Sequence, residues 1–197
     1  MRSKNTINEY RKNQFGVFSR FVSNKGVTYK PYIDANLNNS DFFDFDVYLP
    51  TYDMNLQRDF VWSLEQKREL IHSFILERTV PNIVVIQHHS DDFKDYVHQI
   101  VDGKQRLSTI ISFLKNEFSV ILDGEELYHD DFLYELDGKV YNLFKSASTI
   151  PLNADIYYDY PDERFSDDDK IRLFKLCNFF GTPQDTEHLN KFKQIKL

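Results

Sequence analysis

The sequence has few of the residues that cross-link or interrupt a chain. Cysteine occurs once among 197 residues, at Cys177, so neither an intramolecular disulfide nor a cysteine-based metal cluster can form. Glycine and proline occur six times each, and there is no low-complexity linker or internal repeat, which favours one continuous domain. No apolar run is long enough to span a membrane, and the first ten residues lack the apolar core of a signal peptide. We therefore expect a soluble, cytoplasmic protein with no membrane partner.

Positive charge is also scarce. The chain has 24 Lys and Arg against 31 Asp and Glu, a net charge of −7, which excludes a surface that binds nucleic acid throughout. Residues 1–30 hold seven of the cations and one acid, Glu9, a balance of +6 that leaves −13 for the rest. This basic arm could contact DNA, dock on the protein's own acidic surface or be a solvated terminus, and the sequence does not separate these. We assign residues 1–45 to a basic, partly ordered extension and residues 46–197 to the domain.

Bulky apolar residues, in contrast, are plentiful. Hydrophobic residues make up 41% of the chain and aromatic residues 16%, which is enough to form a core and excludes intrinsic disorder. Apolar spacing and cap residues predict helices over roughly 64–77, through Leu107–Leu114, from Ser166 to Gly181, and from Thr182 onward. Strands are predicted at Phe45–Leu49, Ile83–Ile86, Tyr96–Val101, Phe118–Leu122 and Ile150–Tyr157, with a hairpin of Phe132–Leu136 and Val140–Leu143 around Asp137-Gly138. The fold class is therefore α+β.

The most distinctive part of the chain is a predicted strand and a predicted helix joined by Asp102-Gly103-Lys104-Gln105-Arg106. Gly103 allows a tight turn that presents successive N–H groups at the helix start, where the helix dipole favours an anion by about 0.3–1 kcal/mol. Lys104 and Arg106 add two cations, so a phosphate is the expected ligand. Asp102 would repel that ligand unless it holds a divalent cation or orients a water molecule. A structural interpretation fits equally well, in which Asp102 caps the helix and Arg106 pairs with a nearby acid.

A second constellation, NLQRDFVW at residues 55–62, precedes a helix that Ser63 caps. Arg58 could bind a phosphate with its planar guanidinium, and Gln57 could read a base or ribose edge. Trp62 stands directly before the cap residue, which favours a role in the core or as a hydrophobic staple over base stacking.

The remaining candidates are better explained as structure. His88 and His89, with His98 and the nearby Asp91 and Asp92, lack the helical spacing of a zinc site, and the pair His88-His89 is predicted to lie in an exposed polar turn. Cys177 lies on the apolar face of its helix, which is typical of a buried core thiol.

The segments LQRDFVW, LIHSFI, VPNIVV, IVDGKQRLSTIISFL and IRLFKLCNFFGTPQDTEHL follow one another in an order that resembles one family. It is DUF262, the DGQQR-motif domain at the N-terminus of GmrSD-type modification-dependent restriction enzymes. The resemblance runs from about Leu49 to Leu189 and is loose over residues 123–165. It implies a ParB/sulfiredoxin-like fold, a small mixed sheet with packed helices.

The resemblance also implies a function. The family binds nucleotides, and several members hydrolyse NTPs to sense foreign DNA or license its cleavage. By motif match, Asp102 would be the catalytic residue and the ligand of Mg²⁺. The nucleotide site would comprise Gly103, Lys104, Gln105, Arg106, Gln57, Arg58 and Asn178.

Three positions depart from the family pattern. Lys104 replaces the usual glutamine, His72 stands where many members carry an acid, and Leu176 stands where many carry an arginine. The resemblance therefore carries over no metal-holding or charge-stabilising role to the last two positions. From the chain length we expect no nuclease domain in this chain.

Two functions stay open. The first is a Mg²⁺-dependent NTPase module in the bacterial or phage-infected cytoplasm, linked to restriction or to phage counter-defence. The second is a non-catalytic regulator that binds nucleotide, DNA through the basic arm, or a nuclease or defence-system subunit.

Overall fold

A computed structural model describes residues 21–23, 43–76, 78–92, 94–136, 139–142 and 153–179. Its helices are α1 (Leu64–Ile75), α2 (Lys104–Leu114) and α3 (Asp167–Phe179), and short 3-10 helices span Pro50–Tyr52 and His129–Phe132. Its strands are β1 (Phe21–Ser23), β2 (Phe43–Asp44), β3 (Tyr48–Leu49), β4 (Met54–Asn55), β5 (Ile83–His89), β6 (Tyr96–Asp102), β7 (Val120–Leu122), β8 (Glu125–Leu127), β9 (Leu133–Leu136), β10 (Lys139–Asn142) and β11 (Ala154–Asp159). The predicted α+β class is confirmed.

A five-stranded mixed sheet lies at the centre, with the strand order β1-β11-β5-β6-β2. The β11–β5 and β2–β6 pairs are parallel, and the β1–β11 and β5–β6 pairs are antiparallel. Alternate residues of β5 face opposite sides: Ile83 and Val85 pack in a core with α1 and α2, whereas Val84 and Ile86 pack in a core with α3. This two-sided burial explains why β5 is a continuous apolar run.

The pairing of β5 with β6 shifts by one residue close to the end of β6. Val84 pairs with Asp102 and Val85 with Ile100, so Val101 is the extra residue of a β-bulge. The bulge directly precedes Gly103 and sets the direction in which β6 delivers the chain to α2.

The helix starts agree with the cap residues. Ser63 and Gln66 form the predicted capping box of α1, in which the Ser63 hydroxyl accepts from the N–H of Gln66 and the Gln66 amide accepts from the N–H of Ser63. At α3, the Ser166 hydroxyl accepts from the N–H of Asp169 at 3.2 Å. Both helix starts are therefore stabilised by side chains, by about 1 kcal/mol each.

The strand predictions are correct in place but not always in extent. Of the predicted strand Phe45–Leu49, only Tyr48 and Leu49 are extended, in a small sheet with β4, because Val47 has a φ of 51° that breaks the strand. The prediction of a turn from His88 was wrong: β5 continues through His89, since both residues pair with β6. The hairpin of β9 and β10 is confirmed, with Lys139 opposite Leu136.

Several predictions fall outside the described residues. These are the Asp137-Gly138 turn, Gly181 and the helix from Thr182, and most of the basic arm. Within the predicted extension, residues 21–23 and 43–44 supply the two edge strands of the central sheet. The domain boundary at residue 45 stays a prediction. Among the helices described, none combines the length and apolar character needed to cross a membrane.

Candidate functional site

The turn between β6 and α2 needs glycine at position 103. Gly103 is the N-cap of α2, and its φ of 99° is one that L-residues rarely adopt. A Cβ atom built there would lie 2.4 Å from Cγ2 of Ile83 and 3.1 Å from Nη2 of Arg106. The backbone of the turn therefore approaches β5 more closely than any side chain allows.

The start of α2 is rich in hydrogen-bond donors. The first-turn N–H groups have no acceptors within the helix, and Gly103 has no side chain to cap them. The two other helix starts do have side-chain caps, at Ser63 and Ser166. The start of α2 is thus left open to an external acceptor, and the helix dipole favours an anion there.

Arg106 lies one helical turn from Asp102 and holds it. Nη2 of Arg106 donates to Oδ2 of Asp102 at 2.8 Å and to the carbonyl of Asn82 at 3.0 Å. Nε of Arg106 is buried and has no hydrogen-bond partner in the described part of the chain. Arg106 thus ties the start of α2 to the start of β5. The carboxylate of Asp102 does not cap the helix, contrary to one of the two interpretations of the motif, but the expected ion pair at Arg106 is present.

Lys104 has a counter-ion of its own. Its Nζ lies 2.7 Å from Oδ1 of Asp46, and its side chain is only 10% exposed whereas that of Asp46 is 59% exposed. The predicted cation is therefore at the turn, but an acid in the loop after β2 neutralises it.

The two glutamines of the motifs position backbone. The Gln105 amide donates to the carbonyl of Asp59 and accepts from the N–H of Val61, both at 3.0 Å. The amide of buried Gln57 donates to the carbonyl of Val101, the bulge residue. These bonds bring the NLQRDFVW segment to the Gly103 turn, as the predicted site requires.

Arg58 differs from the other cations at the turn. It follows Gln57 directly and is half-buried. Within the residues that the structure describes, no carboxylate or carbonyl is within hydrogen-bond or ion-pair distance of its guanidinium. Among the described residues Arg58 thus has no counter-ion, although the chain has an excess of acids. The neighbouring Trp62 packs against the core, as its position before the helix predicts.

Helix α3 covers the other side of the turn. Burial raises the pKa of the Cys177 thiol to about 12, and the charges of Asp102 and Asp155 contribute in the same direction. The thiol is therefore neutral and packs in the core around α3, as predicted. Asn178 is the next residue of α3, and its role in nucleotide binding stays a prediction.

The expected Mg²⁺ would have one carboxylate at the turn, that of Asp102, as a protein ligand. In the described ranges no three His, Cys, Asp or Glu side chains come together as a metal site. Asp102 offers its Oδ1, because Arg106 uses Oδ2. One carboxylate suits a Mg²⁺ ion that arrives on the phosphates of a nucleotide, since such ions keep few protein ligands. Nε2 of His72 is 3.1 Å from the carbonyl oxygen of Ile121, within hydrogen-bond distance.

A second polar cluster lies at the opposite end of β5, and the sequence did not predict it. Nδ1 of His88 contacts the carboxylate of Asp159, which is 1% exposed and also accepts from the N–H of Phe165 at 2.6 Å. Arg164 donates to the carbonyl of His89 at 2.6 Å and reaches the same carboxylate at 3.6 Å. The cluster joins residues that are up to 77 positions apart, so no local pattern could have revealed it.

The pKa values in this cluster follow from its contacts. Burial alone would raise the pKa of Asp159, but the hydrogen bonds of His88 and Phe165 and the charge of Arg164 lower it. Burial lowers the pKa of His98, which is 0% exposed, to about 3, and the charge of His89 adds to the effect. Asp159 is thus an anion whose hydrogen bonds are made within the protein, and His98 is a neutral base. This indicates a structural role for the His88 end of the β5–β6 pair.

Comparison with known proteins identifies the class. A family model described as the GmrSD restriction endonuclease N-terminal domain matches residues 30–195. Because this match covers most of the chain, the protein belongs to that family. No curated protein and no solved structure matches the chain.

Proposed function

We propose that this chain is the nucleotide-binding module of a GmrSD-type restriction or defence system, and that it takes the phosphates of an NTP at the start of α2. The single observation that supports this most strongly is the surplus of donors at that point. Uncapped N–H groups of α2 lie at a turn that only glycine can form, and the hydrogen bonds of Gln57 and Gln105 hold the chain on both sides of Arg58 against that turn. Family membership supports the link to restriction.

Each residue of the site has a role in the proposal. The first-turn N–H groups of α2 and Arg58 bind phosphate oxygens by charge-assisted hydrogen bonds. Gln105 and Gln57 are positioning residues, because their amides hold the Arg58 segment against the turn. Arg106 fixes the orientation of Asp102 and balances its charge, which reduces the repulsion of a phosphate.

For hydrolysis, Asp102 would accept a proton from the attacking water through Oδ1, the oxygen that Arg106 does not use. In the alternative role, Asp102 would hold a Mg²⁺ ion bound with the nucleotide, which would supply neutralisation of the charge on the phosphates. The donors of the turn would stabilise the charge that develops on the phosphate oxygens.

Binding is tested by calorimetric titration of each NTP with Mg²⁺ into the parent and into Arg58→Ala. A charge-assisted hydrogen bond contributes about 1.5–3 kcal/mol, so the variant is expected to bind about ten- to a hundredfold more weakly. Arg78→Ala is the matched control, because Arg78 is exposed and lies beyond the other end of α1. Equal affinity of the parent and Arg58→Ala would contradict the placement of the site.

The second candidate is a module that binds the nucleotide without hydrolysing it. The observation in its favour is the ion pair with Arg106, which already engages one oxygen of the Asp102 carboxylate. Phosphate release by the parent and by Asp102→Asn separates the two candidates. Turnover by the parent that the variant lacks supports the enzyme, and binding without turnover supports the regulator.

Other parts of the proposal rest on the family resemblance. We propose a ParB/sulfiredoxin-like ancestry for the fold, a cytoplasmic site of action, and a nuclease or other defence-system subunit as partner. DNA binding through the basic arm would be sensitive to salt and lost when residues 1–30 are deleted.

A further inference from the structure

Asp46 occupies the position beside Lys104 where a phosphate would be expected. Its Oδ1 is 2.7 Å from Nζ of Lys104, and this cation is largely buried while the carboxylate is largely exposed. The ion pair therefore faces solvent through the acid, so a ligand that approaches Lys104 meets Asp46 first.

The loop that carries Asp46 is firmly built. Oδ1 of Asp44 accepts from the N–H of Asp46 at 3.0 Å and from that of Val47 at 2.8 Å. The carbonyls of Asp46 and Val47 accept from the N–H groups of Gln57 and Leu56. Asp46 is thus fixed in relation to the segment that carries Arg58.

Val47 shows that this placement has an energetic cost. It is fully buried and has a φ of 51°, in the left-handed region that β-branched residues avoid. Such a conformation is unfavourable for a β-branched residue and persists only where the surrounding contacts impose it. The packing around the buried Val47 thus imposes an unfavourable backbone conformation on the residue next to Asp46.

We infer that Asp46 is an internal counter-anion at the nucleotide site, and that it makes the site select triphosphates over monophosphates. The inference rests on the proposed function and adds to it a residue that determines specificity. A monophosphate at the start of α2 must compete with the carboxylate for Lys104. A triphosphate brings additional charges that displace Asp46 from Lys104 while other oxygens keep the helix N–H groups.

The test is the affinity of Asp46→Asn for GTP, GMP and inorganic phosphate. Loss of the carboxylate should strengthen the binding of GMP and phosphate about three- to tenfold and that of GTP less, so that discrimination between GTP and GMP narrows. Asp95→Asn is the matched control, because it changes the net charge equally at an exposed residue before β6. Asp46→Glu keeps the negative charge and should keep most of the discrimination.

Folding is checked by circular dichroism. The loop is fixed by backbone groups of Asp46, so the substitution should leave it intact. Asp46→Ser is the second variant if Asp46→Asn is unstable.

The possible outcomes distinguish the inference about Asp46 from the proposed function. Tighter monophosphate binding by Asp46→Asn but not by Asp95→Asn supports the inference. Unchanged or weaker binding, with the parent still binding GTP, overturns the inference and leaves the proposed function standing. Absence of phosphate binding by the parent and every variant overturns both.

Discussion

The two ends of the β5–β6 strand pair use similar side chains in opposite ways. At the His88 end, the buried carboxylate of Asp159 is surrounded by donors, and its hydrogen-bonding capacity is satisfied within the protein. At the Gly103 end, the carboxylate of Asp102 is held by Arg106, yet the helix N–H groups lack a cap. Arg58 likewise finds no acceptor among the described residues. A cluster of charges therefore does not mark a ligand site by itself, and the more informative sign is an excess of donors over acceptors.

The largest effect is expected from Gly103→Ala. Left-handed backbone costs about 1–2 kcal/mol for a non-glycine residue, and the clash with Ile83 adds about 1–3 kcal/mol. We expect the free energy of unfolding to fall by about 2–5 kcal/mol in urea denaturation. Gly124→Ala is the control, because Gly124 also has a positive φ, 88°, but has no atom within 4 Å of the added Cβ. Equal losses in the two variants would mean that close approach to β5 is unimportant.

An intermediate effect on stability is expected when the pH is lowered, because His98 at the His88 end then becomes protonated in the unfolded chain. The pKa of His98 is about 3 in the folded protein and about 6.5 when unfolded, so the unfolded chain binds more protons between these values. The free energy of unfolding is therefore unaffected by protonation of His98 above pH 6.5. It decreases as the pH falls toward 3, by up to about 1.4 kcal/mol per pH unit, because protons bind to the unfolded chain. Urea denaturation from pH 7 to pH 4 should show a shallower loss for His98→Gln than for the parent. Identical pH slopes for the parent and His98→Gln would show that His98 binds its proton equally in the folded and unfolded states.

The smallest effect is expected from Gln105→Ala at the Gly103 end. Loss of its two hydrogen bonds with residues 59 and 61 should cost about 1 kcal/mol of stability and weaken NTP binding several-fold, because Arg58 is no longer held. Ser112→Ala removes a hydrogen bond with Glu117 at the other end of α2 and should leave NTP binding unchanged. Equal affinities for the parent and Gln105→Ala would assign the amide a purely structural role.

Local signals carried most of the successful sequence predictions. The Ser63 and Ser166 caps, the apolar run of β5 and the glycine at the turn depend on neighbours within a few positions. Their physical causes, side-chain capping, two-sided burial and positive φ, are therefore readable from the chain itself.

The parts that could not be predicted are pairings across long stretches of chain. Asp46 and Lys104 are 58 positions apart, and Gln105 meets a loop 44–46 positions away. The structure brings Gln57 to the turn, as the two motifs led us to expect, but the motifs did not predict that Lys104 is neutralised or that Gln105 binds backbone. The extension of β5 to His89 was missed because polar residues at a strand end are locally indistinguishable from a turn.

The bulge at Val101 also constrains how the sequence can vary in length. A one-residue deletion in β6 that removed the bulge would leave Asp102 opposite Val84, but it would straighten the strand and change the direction in which the chain enters the Gly103 turn. Gln57 would lose the carbonyl that it binds. The number of residues between His98 and Gly103 is therefore fixed by geometry, whereas the turn between β5 and β6, at the far end of both strands, can change in length without moving the site.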